Sequence, residues 1–315
     1  MNLTLRHVCK DLQNFIDDTA NSSILPETYI ETLGIFLKNN SVTLCFESSE
    51  DDDILVYEAQ DGGNCKKFAN GRDEILKNVN VMDIAMRDLE LVLRFQKSEI
   101  TKFNFKVDYG FSKHDKLEKL KNVLERKQIP LAPWILACSV YKQSEILSVL
   151  PFLNPEKLKS IRIESDRKTE GLKMNEVLET EQWRNADTLL MTPHRFTNSL
   201  KNLSHFANVT IRVPTISTDE LKFLKEIFAS SENFFNFKAE YDNFEDDRKF
   251  VELWGQPYIE ETLAIHSWHF PTSDPKFLLK FQHAPLFQTV QFRQKRIEEL
   301  PHGFVLEGER FVMEQ

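Results

Sequence analysis

A repeated alternation of helix-like and strand-like segments begins near Val81 and constrains the fold more than any other feature of the sequence. Helix-like stretches carry apolar residues at three- and four-residue steps, and each is followed by a short run in which apolar residues alternate with others. The centres of these runs lie 22 to 31 residues apart, at Phe105, Leu136, Ile161, Leu189, Ile211 and Phe237. Parallel strands need crossovers of this kind, and leucine-rich-repeat units run about 20–29 residues. We therefore predict an α/β fold whose repeated helix–strand units form a leucine-rich-repeat-like solenoid or, alternatively, an ordinary open parallel sheet.

Before this alternation, the sequence predicts two short helices and a small β meander. Apolar residues recur at helical steps from Leu3 to Asp17, and Pro26 can open a second helix from Thr28 to Leu37. Between Asn40 and Asn70, alternating apolar residues flank the turn signal Asp61-Gly62-Gly63, which favours antiparallel strands.

These patterns divide the chain into three predicted parts. Residues 1–38 are the two helices, residues 39–72 are the meander, and residues 73–315 are the helix–strand repeats. Strand-like stretches at 263–270, 289–293 and 304–312 predict a β-rich cap at the end of the third part.

Charge and composition narrow the function classes. The formal net charge is −9, and Glu50–Asp53 and Glu245–Asp247 are acidic clusters. The sequence therefore shows no evident basic face that would bind the phosphates of a nucleic acid, and we expect no direct nucleic-acid binding. No stretch reaches the roughly 18 apolar residues of a membrane span, and the charged opening segment is unlike a secretory signal. We therefore expect a cytoplasmic or nuclear protein that does not bind membranes.

Residue patterns for catalysis are absent from the sequence. It contains no GxSxG, HExxH, Walker loop or GxGxxG motif, and no two cysteines form a CxxC pair. The nearest metal candidates are His266, His269 and His283, but the segment around the first two reads as a strand, where a three-residue spacing points to opposite faces. We expect no enzyme activity, no metal and no cofactor; an enclosed pocket holding strongly perturbed titratable groups would favour the alternative of an enzyme.

Two regions resemble one known family. Leu3-Thr-Leu-Arg-His-Val-Cys-Lys-Asp-Leu-Gln-Asn-Phe-Ile-Asp is similar to the C-terminal half of an F-box, in which a helix carries Leu-xx-Val-Cys, then an aromatic residue and an acidic pair. Most of the remaining chain resembles the FTH domain that accompanies F-boxes in a large family of F-box proteins. Three segments carry this second resemblance: Asp61 to Cys65, Ala85 to Leu93 and Ile146 to Ile163.

The resemblance implies a role in ubiquitin ligation. F-box helices dock on a Skp-type adaptor of a cullin ubiquitin ligase, while the other domain captures the target protein. By this resemblance, residues 1–38 hold a residual F-box helix whose side chains face the adaptor or the F-box core; these are Leu3, Leu5, Val8, Leu12 and Phe15. The alternative for these residues is a plain amphipathic helix packed on the FTH domain.

The sequence departs from the family pattern at its start. An F-box begins with a Leu-Pro-containing helix and a second helix, whereas here Met1 lies almost directly at the last helix. Losing the apolar area of the missing helices would weaken adaptor binding, so we expect the 315-residue form to bind the adaptor poorly.

Two functions follow from the resemblance. The first is a substrate-recognition subunit of an SCF-type ubiquitin ligase that binds an unknown target protein through its FTH domain. The second is a ligase-independent binding module or decoy. Outward residues on the predicted strands, such as Arg162, Arg212 and Lys238, are candidates for target contact, although lone basic residues on strands are commonly just solvated.

Overall fold

The computed structural model describes residues 29–49, 52–69, 71–96, 99–111, 114–127, 129–165, 171–245, 249–260, 263–300 and 302–313. Their contacts divide the chain into two compact units. Unit 1 comprises the described residues up to Ile161 together with Thr180–Asn185. Unit 2 comprises those of Arg162–Glu179 and those from Ala186 onward.

Unit 1 is built on a mixed sheet in which one antiparallel run adjoins one parallel run. Its strands are β1 (Thr32–Leu37), β2 (Ser41–Glu47), β3 (Asp52–Gln60), β4 (Asn64–Ala69), β5 (Arg72–Leu76), β6 (Lys102–Val107) and β7 (Ile135–Ser139). The pairs β5–β4, β4–β3, β3–β2 and β2–β1 are antiparallel. The pairs β1–β6 and β6–β7 are parallel, which gives the order β5-β4-β3-β2-β1-β6-β7. The helices of this unit are α1 (Val81–Phe95), α2 (His114–Glu125), α3 (Gln143–Ile146) and α4 (Glu181–Asn185).

Alternation along the strands gives the sheet of unit 1 one apolar face. On β6, Phe103, Phe105 and Val107 are buried while the residues between them are half-exposed. Helix α1 contacts β2 and β3, and its buried residues recur at helical steps. Asn80 caps the start of α1, because its side chain accepts hydrogen bonds from the backbone N–H groups of Met82 and Asp83.

Unit 2 is built on a second mixed sheet, with parallel strands first and antiparallel strands after them. Its strands are β9 (Thr188–Arg195), β10 (Asn208–Ser217), β11 (Asn236–Glu245), β12 (Tyr258–Glu260), β13 (Ile265–Pro271), β14 (Phe277–Ala284), β15 (Thr289–Arg296), β16 (Phe304–Glu307) and β17 (Arg310–Met313); β8 (Ser160–Glu164) contains the boundary residue Ile161. Pairings give the order β9-β10-β11-β15-β14-β13, in which β9, β10 and β11 are parallel. Strands β12 and β17 pair with β13, and β16 pairs with β17. The helices are α5 (Thr218–Ser230) and α6 (Lys249–Trp254).

A row of large apolar side chains crosses the sheet of unit 2 and forms the centre of its core. Residues directly opposite one another on paired strands share a face. The strand registers place these residues in one row: Leu189, Val209, Phe237, Phe292, Phe281 and Trp268. Phe228 of α5 covers the row, with its ring 5.7 Å from that of Phe237 and 5.6 Å from that of Phe292. Helix α5 therefore lies on this apolar face. On the opposite face, β10, β11 and β15 carry polar side chains, as in the row Thr210, Lys238 and Gln291.

The α/β class predicted from the sequence is confirmed, and one predicted helix is wrong. The antiparallel meander expected between Asn40 and Asn70 is present as β2, β3 and β4, and β5 extends it. The helix predicted from Thr28 to Leu37 is instead β1 over Thr32–Leu37. Leu33, Ile35 and Leu37 are buried in alternation there, because β1 pairs with both β2 and β6 and this pairing outweighs the local helix-start signal of Pro26.

Three other sequence predictions are not decided by the fold. The helix from Leu3 to Asp17 lies outside the described residues, and so do its predicted adaptor-contacting side chains Leu3, Leu5, Val8, Leu12 and Phe15. The three-part division of the chain and the leucine-rich-repeat-like solenoid stay predictions.

In the described part of the chain, no helix is both long enough and apolar enough to cross a membrane.

Candidate functional site

The histidines of β13 and β14 serve packing in unit 2. His283 Nε2 lies 2.8 Å from the hydroxyl of Tyr241, and both residues are buried. His266 lies directly opposite His283, with ring centroids 6.1 Å apart. His269 points to the other side of the sheet, where its ring lies 5.1 Å from that of Phe304. Among the described residues, no group of three or more His, Cys, Asp or Glu is placed to hold a metal ion.

The environment of His269 keeps its ring neutral. The side chain is buried, and its Nδ1 has no hydrogen-bond partner among the described residues. Burial, and to a lesser degree the positive charge of Lys280, lowers the pKa of His269 to about 4. The imidazole of His269 is therefore neutral and enclosed at physiological pH.

The polar face of the unit 2 sheet presents a group of charged side chains to solvent. It carries five cationic side chains and two carboxylates on the rows that lie opposite the apolar row. We call these residues the basic sheet face; they are Arg195, Arg212, Lys238, Lys280 and Arg293 with Glu240 and Asp242. All seven are half-exposed or exposed, so the face is open to solvent along β9, β10, β11, β14 and β15.

Two arginines converge on one carboxylate at the centre of this face. Arg195 Nε lies 2.5 Å from Asp242 Oδ2, and Arg212 Nη2 lies 2.7 Å from Asp242 Oδ1. The three side chains are between 26% and 28% exposed. The hydrogen bonds from Arg195 and then Arg212 lower the pKa of Asp242, so this carboxylate stays ionised well into the acidic range.

A β-bulge creates this convergence. Met191 of β9 pairs with Ile211 of β10, but the next residue of β10, Arg212, pairs with Arg195, so β9 holds extra residues at this point. Bulges re-aim side chains and recur next to functional sites. Here the shift brings Arg195 level with Arg212, so that both guanidinium groups reach Asp242 on β11, which is two strands from Arg195 and one from Arg212.

An amide ladder continues the polar face beside the arginines. Asn236 donates from Nδ2 to Asn208 Oδ1 at 3.2 Å, and Gln291 donates from Nε2 to Asn236 Oδ1 at 2.6 Å. Asn236 and Arg293 are directly opposite each other on β11 and β15. The ladder fixes the side chains of three neighbouring strands, so the charged groups around it project from an ordered surface.

The structure brings together two of the three basic residues that the sequence singled out. Arg212 and Lys238 lie on the basic sheet face, whereas Arg162 lies on β8. Sequence reasoning missed Arg195 and Asp242, which are 47 residues apart and meet only through the bulge and the strand order. Of the acidic cluster, Glu245 is the exposed last residue of β11, and Asp246 and Asp247 lie outside the described residues.

A second open surface lies on the sheet of unit 1. Exposed apolar side chains on neighbouring strands β3, β4 and β5 form what we call the apolar sheet patch: Ile54, Phe68 and Ile75. Their exposed fractions are 47%, 40% and 54%. Contiguous exposed apolar side chains are a feature of protein-contact surfaces. The apolar sheet patch is therefore the alternative surface with which the basic sheet face is compared in experiments on partner binding.

Comparison with known proteins supports the FTH resemblance. The family model described as the FTH domain matches residues 114–253, which extend from α2 into α6 and include Arg195, Arg212, Lys238, Glu240 and Asp242. No curated protein and no solved structure matches the chain. FTH domains generally accompany F-boxes, so the matched segment points to a protein-interaction role.

Proposed function

We propose that the chain is a substrate-recognition subunit of an SCF-type ubiquitin ligase, and that it captures a target protein through its FTH domain. The match of residues 114–253 to the FTH domain carries this proposal. The similarity of Leu3 to Asp17 to the C-terminal half of an F-box supplies the link to a Skp-type adaptor.

The proposed mechanism is positioning. The FTH domain holds the target so that a ubiquitin-loaded enzyme elsewhere in the ligase reaches the target's lysines, and the chain performs no bond chemistry itself. Such a subunit needs no metal or cofactor, and it acts in the cytoplasm, the nucleus or both.

A leucine-rich-repeat-like order of the helix–strand units is part of the proposal. Parallel pairs within each unit support it, since α2 connects the paired strands β6 and β7, and α5 connects β10 and β11. Strand faces of repeat proteins are common binding surfaces.

The alternative function is a binding module or decoy that captures the same target without delivering it for ubiquitination. The match of residues 114–253 supports it as well, since that match concerns the FTH domain and not the F-box. In this case the contacts on the target are unchanged, and only the link to the ligase is lost.

Target turnover distinguishes the two functions. The tagged chain is purified from cells treated with a proteasome inhibitor, beside the tag alone. Proteins captured by the chain and not by the tag alone are then followed in cells with and without the Skp-type adaptor.

A longer half-life of a captured protein after adaptor removal is the result expected of a recognition subunit. Captured proteins whose half-lives do not depend on the adaptor would contradict the ligase role and favour the alternative.

A further inference from the structure

We propose that the basic sheet face is the target-binding surface and that it takes a protein segment rich in aspartate and glutamate. This inference deepens the proposed function, since it names the surface and the chemical class of the target. It rests on charge, on the geometry of the arginines and on the ordered polar side chains around them.

Charge complementarity selects an acidic partner. The chain has a formal net charge of −9, yet the basic sheet face carries five cations against two carboxylates. A positive region on an otherwise acidic protein attracts negative partners to that place and repels them elsewhere. An acidic segment therefore docks on this face in preference to the rest of the surface.

Asp242 shows how the face receives a carboxylate. Its two oxygens are bound by Arg195 and Arg212, one oxygen each, at 2.5 Å and 2.7 Å. Each guanidinium has five N–H donors, so it can bind more than one carboxylate oxygen. Glu240 lies directly opposite Arg212, so Asp242 and Glu240 balance the two arginines. The excess positive charge of the face therefore comes from Lys238, Lys280 and Arg293.

A polypeptide fits this face better than a nucleic acid does. Asp242 and the exposed Glu240 lie among the cations and would oppose a chain of phosphates. The amides of Asn208, Asn236 and Gln291 offer both donors and acceptors, which match the N–H and C=O groups of a peptide backbone. Strands lie about 4.8 Å apart, so the five strands span about 19 Å, which an extended segment of about six residues covers.

Fluorescence anisotropy with a defined peptide tests the proposal on the full chain. The probe is a fluorescein-labelled peptide of about twelve residues in which Asp and Glu alternate with Ser and Gly. The same peptide with Asn and Gln in place of the acids is its control, and a single-stranded oligonucleotide of similar length is the competing polyanion.

The wild type is expected to bind the acidic peptide, and to bind its neutral form and the oligonucleotide at least about tenfold more weakly. Because exposed ion pairs are screened, affinity for the acidic peptide should fall when NaCl is raised from about 50 mM to about 200 mM.

Two variants with opposite expected effects on peptide affinity test whether the basic sheet face is the binding surface. Lys238→Glu with Arg293→Glu reverses two cations on the face and should weaken binding at least about tenfold. Asp242→Asn keeps the side-chain shape, removes a competing negative charge and should strengthen binding about threefold or more, which a folding defect would not produce. Lys222→Glu is the matched control, because Lys222 is exposed on α5 at the apolar side of the same sheet; it should change affinity less than about twofold.

The proposal is overturned if the wild type does not bind the acidic peptide, or if the oligonucleotide binds as tightly. It is also overturned if binding survives the double reversal; loss of binding when Ile54 and Phe68 of the apolar sheet patch are changed to Asp would then place the peptide on that patch instead. Retained adaptor-dependent turnover of captured proteins would then show that the ligase role stands while this surface assignment fails.

Discussion

The buried carboxylate of Asp88 in α1 is expected to be one of the most costly side chains to remove from unit 1. Asp88 is fully buried, and its Oδ2 accepts hydrogen bonds from the Tyr57 hydroxyl and from Lys67 Nζ, each at 2.7 Å. Lys67 is itself only 5% exposed. Arg87 approaches the other oxygen, with Nε 3.8 Å from Oδ1. The carboxylate thus joins α1 to β3 and β4.

Replacing Asp88 with alanine leaves a buried ammonium group and a buried hydroxyl without this acceptor. Breaking a buried pair by removing one partner costs about 3–5 kcal/mol, since the remaining charge is not compensated. Domains are stable by only about 5–15 kcal/mol, so the loss is a large share of the total. The double variant Asp88→Leu with Lys67→Met removes both charges and should recover most of the stability, because an apolar pair needs no such compensation.

Urea unfolding followed by far-ultraviolet circular dichroism measures these effects. Asp83→Ala is the matched control on the same helix: Asp83 is 59% exposed and pairs with Lys119, so its removal should cost less than about 1 kcal/mol. A loss of less than about 1 kcal/mol for Asp88→Ala, or a double variant as unstable as the single one, would refute the reasoning.

Three further changes test other parts of the account. The pKa of His269 is lowered to about 4 from an ordinary value near 6.5, so the unfolded chain takes up a proton between these pH values while the folded chain does not. The free energy of unfolding should therefore fall by up to about 3 kcal/mol as the pH drops from about 6.5 to about 4. His269→Phe should flatten this part of the plot of urea midpoint against pH, and an unchanged plot would contradict the lowered pKa of His269. Phe292→Ala leaves a cavity in the apolar row beneath Phe228 and should lower the free energy of unfolding, measured with urea, by about 3–5 kcal/mol. A loss below about 1 kcal/mol would show that this row is not the centre of the core. Asn80→Ala removes the cap of α1 and should cost about 1 kcal/mol by the same measurement, while no loss would contradict the capping role.

Strands with one buried face were predictable because their pattern is local. Val42, Leu44 and Phe46 alternate in β2 as the sequence indicates, and the turn Asp61-Gly62-Gly63 joins β3 to β4 with both glycines at positive φ, 73° and 75°. Helix α1 was predictable for the same reason, since its apolar stripe repeats within a single segment.

Features that depend on distant partners were not predictable. The segment of β1 carries a helix-start signal just before it, and only its pairing with β2 and β6 reveals a strand. The convergence of Arg195 on Asp242 needs the bulge in β9 and the parallel order of three strands. The sequence pointed to Arg212 and Lys238 as outward basic residues, but their grouping into one face required the strand register.

Binding of the purified chain to a purified Skp-type adaptor tests the ligase role most directly. Isothermal titration calorimetry compares the 315-residue chain with a variant that carries Leu5→Asp and Val8→Asp in the segment similar to an F-box helix. We predict that the unchanged chain binds the adaptor more tightly than this variant does. Equal binding by the two forms, or binding by neither, would contradict the role as a ligase subunit, and the chain would then be a binding module that acts without the adaptor.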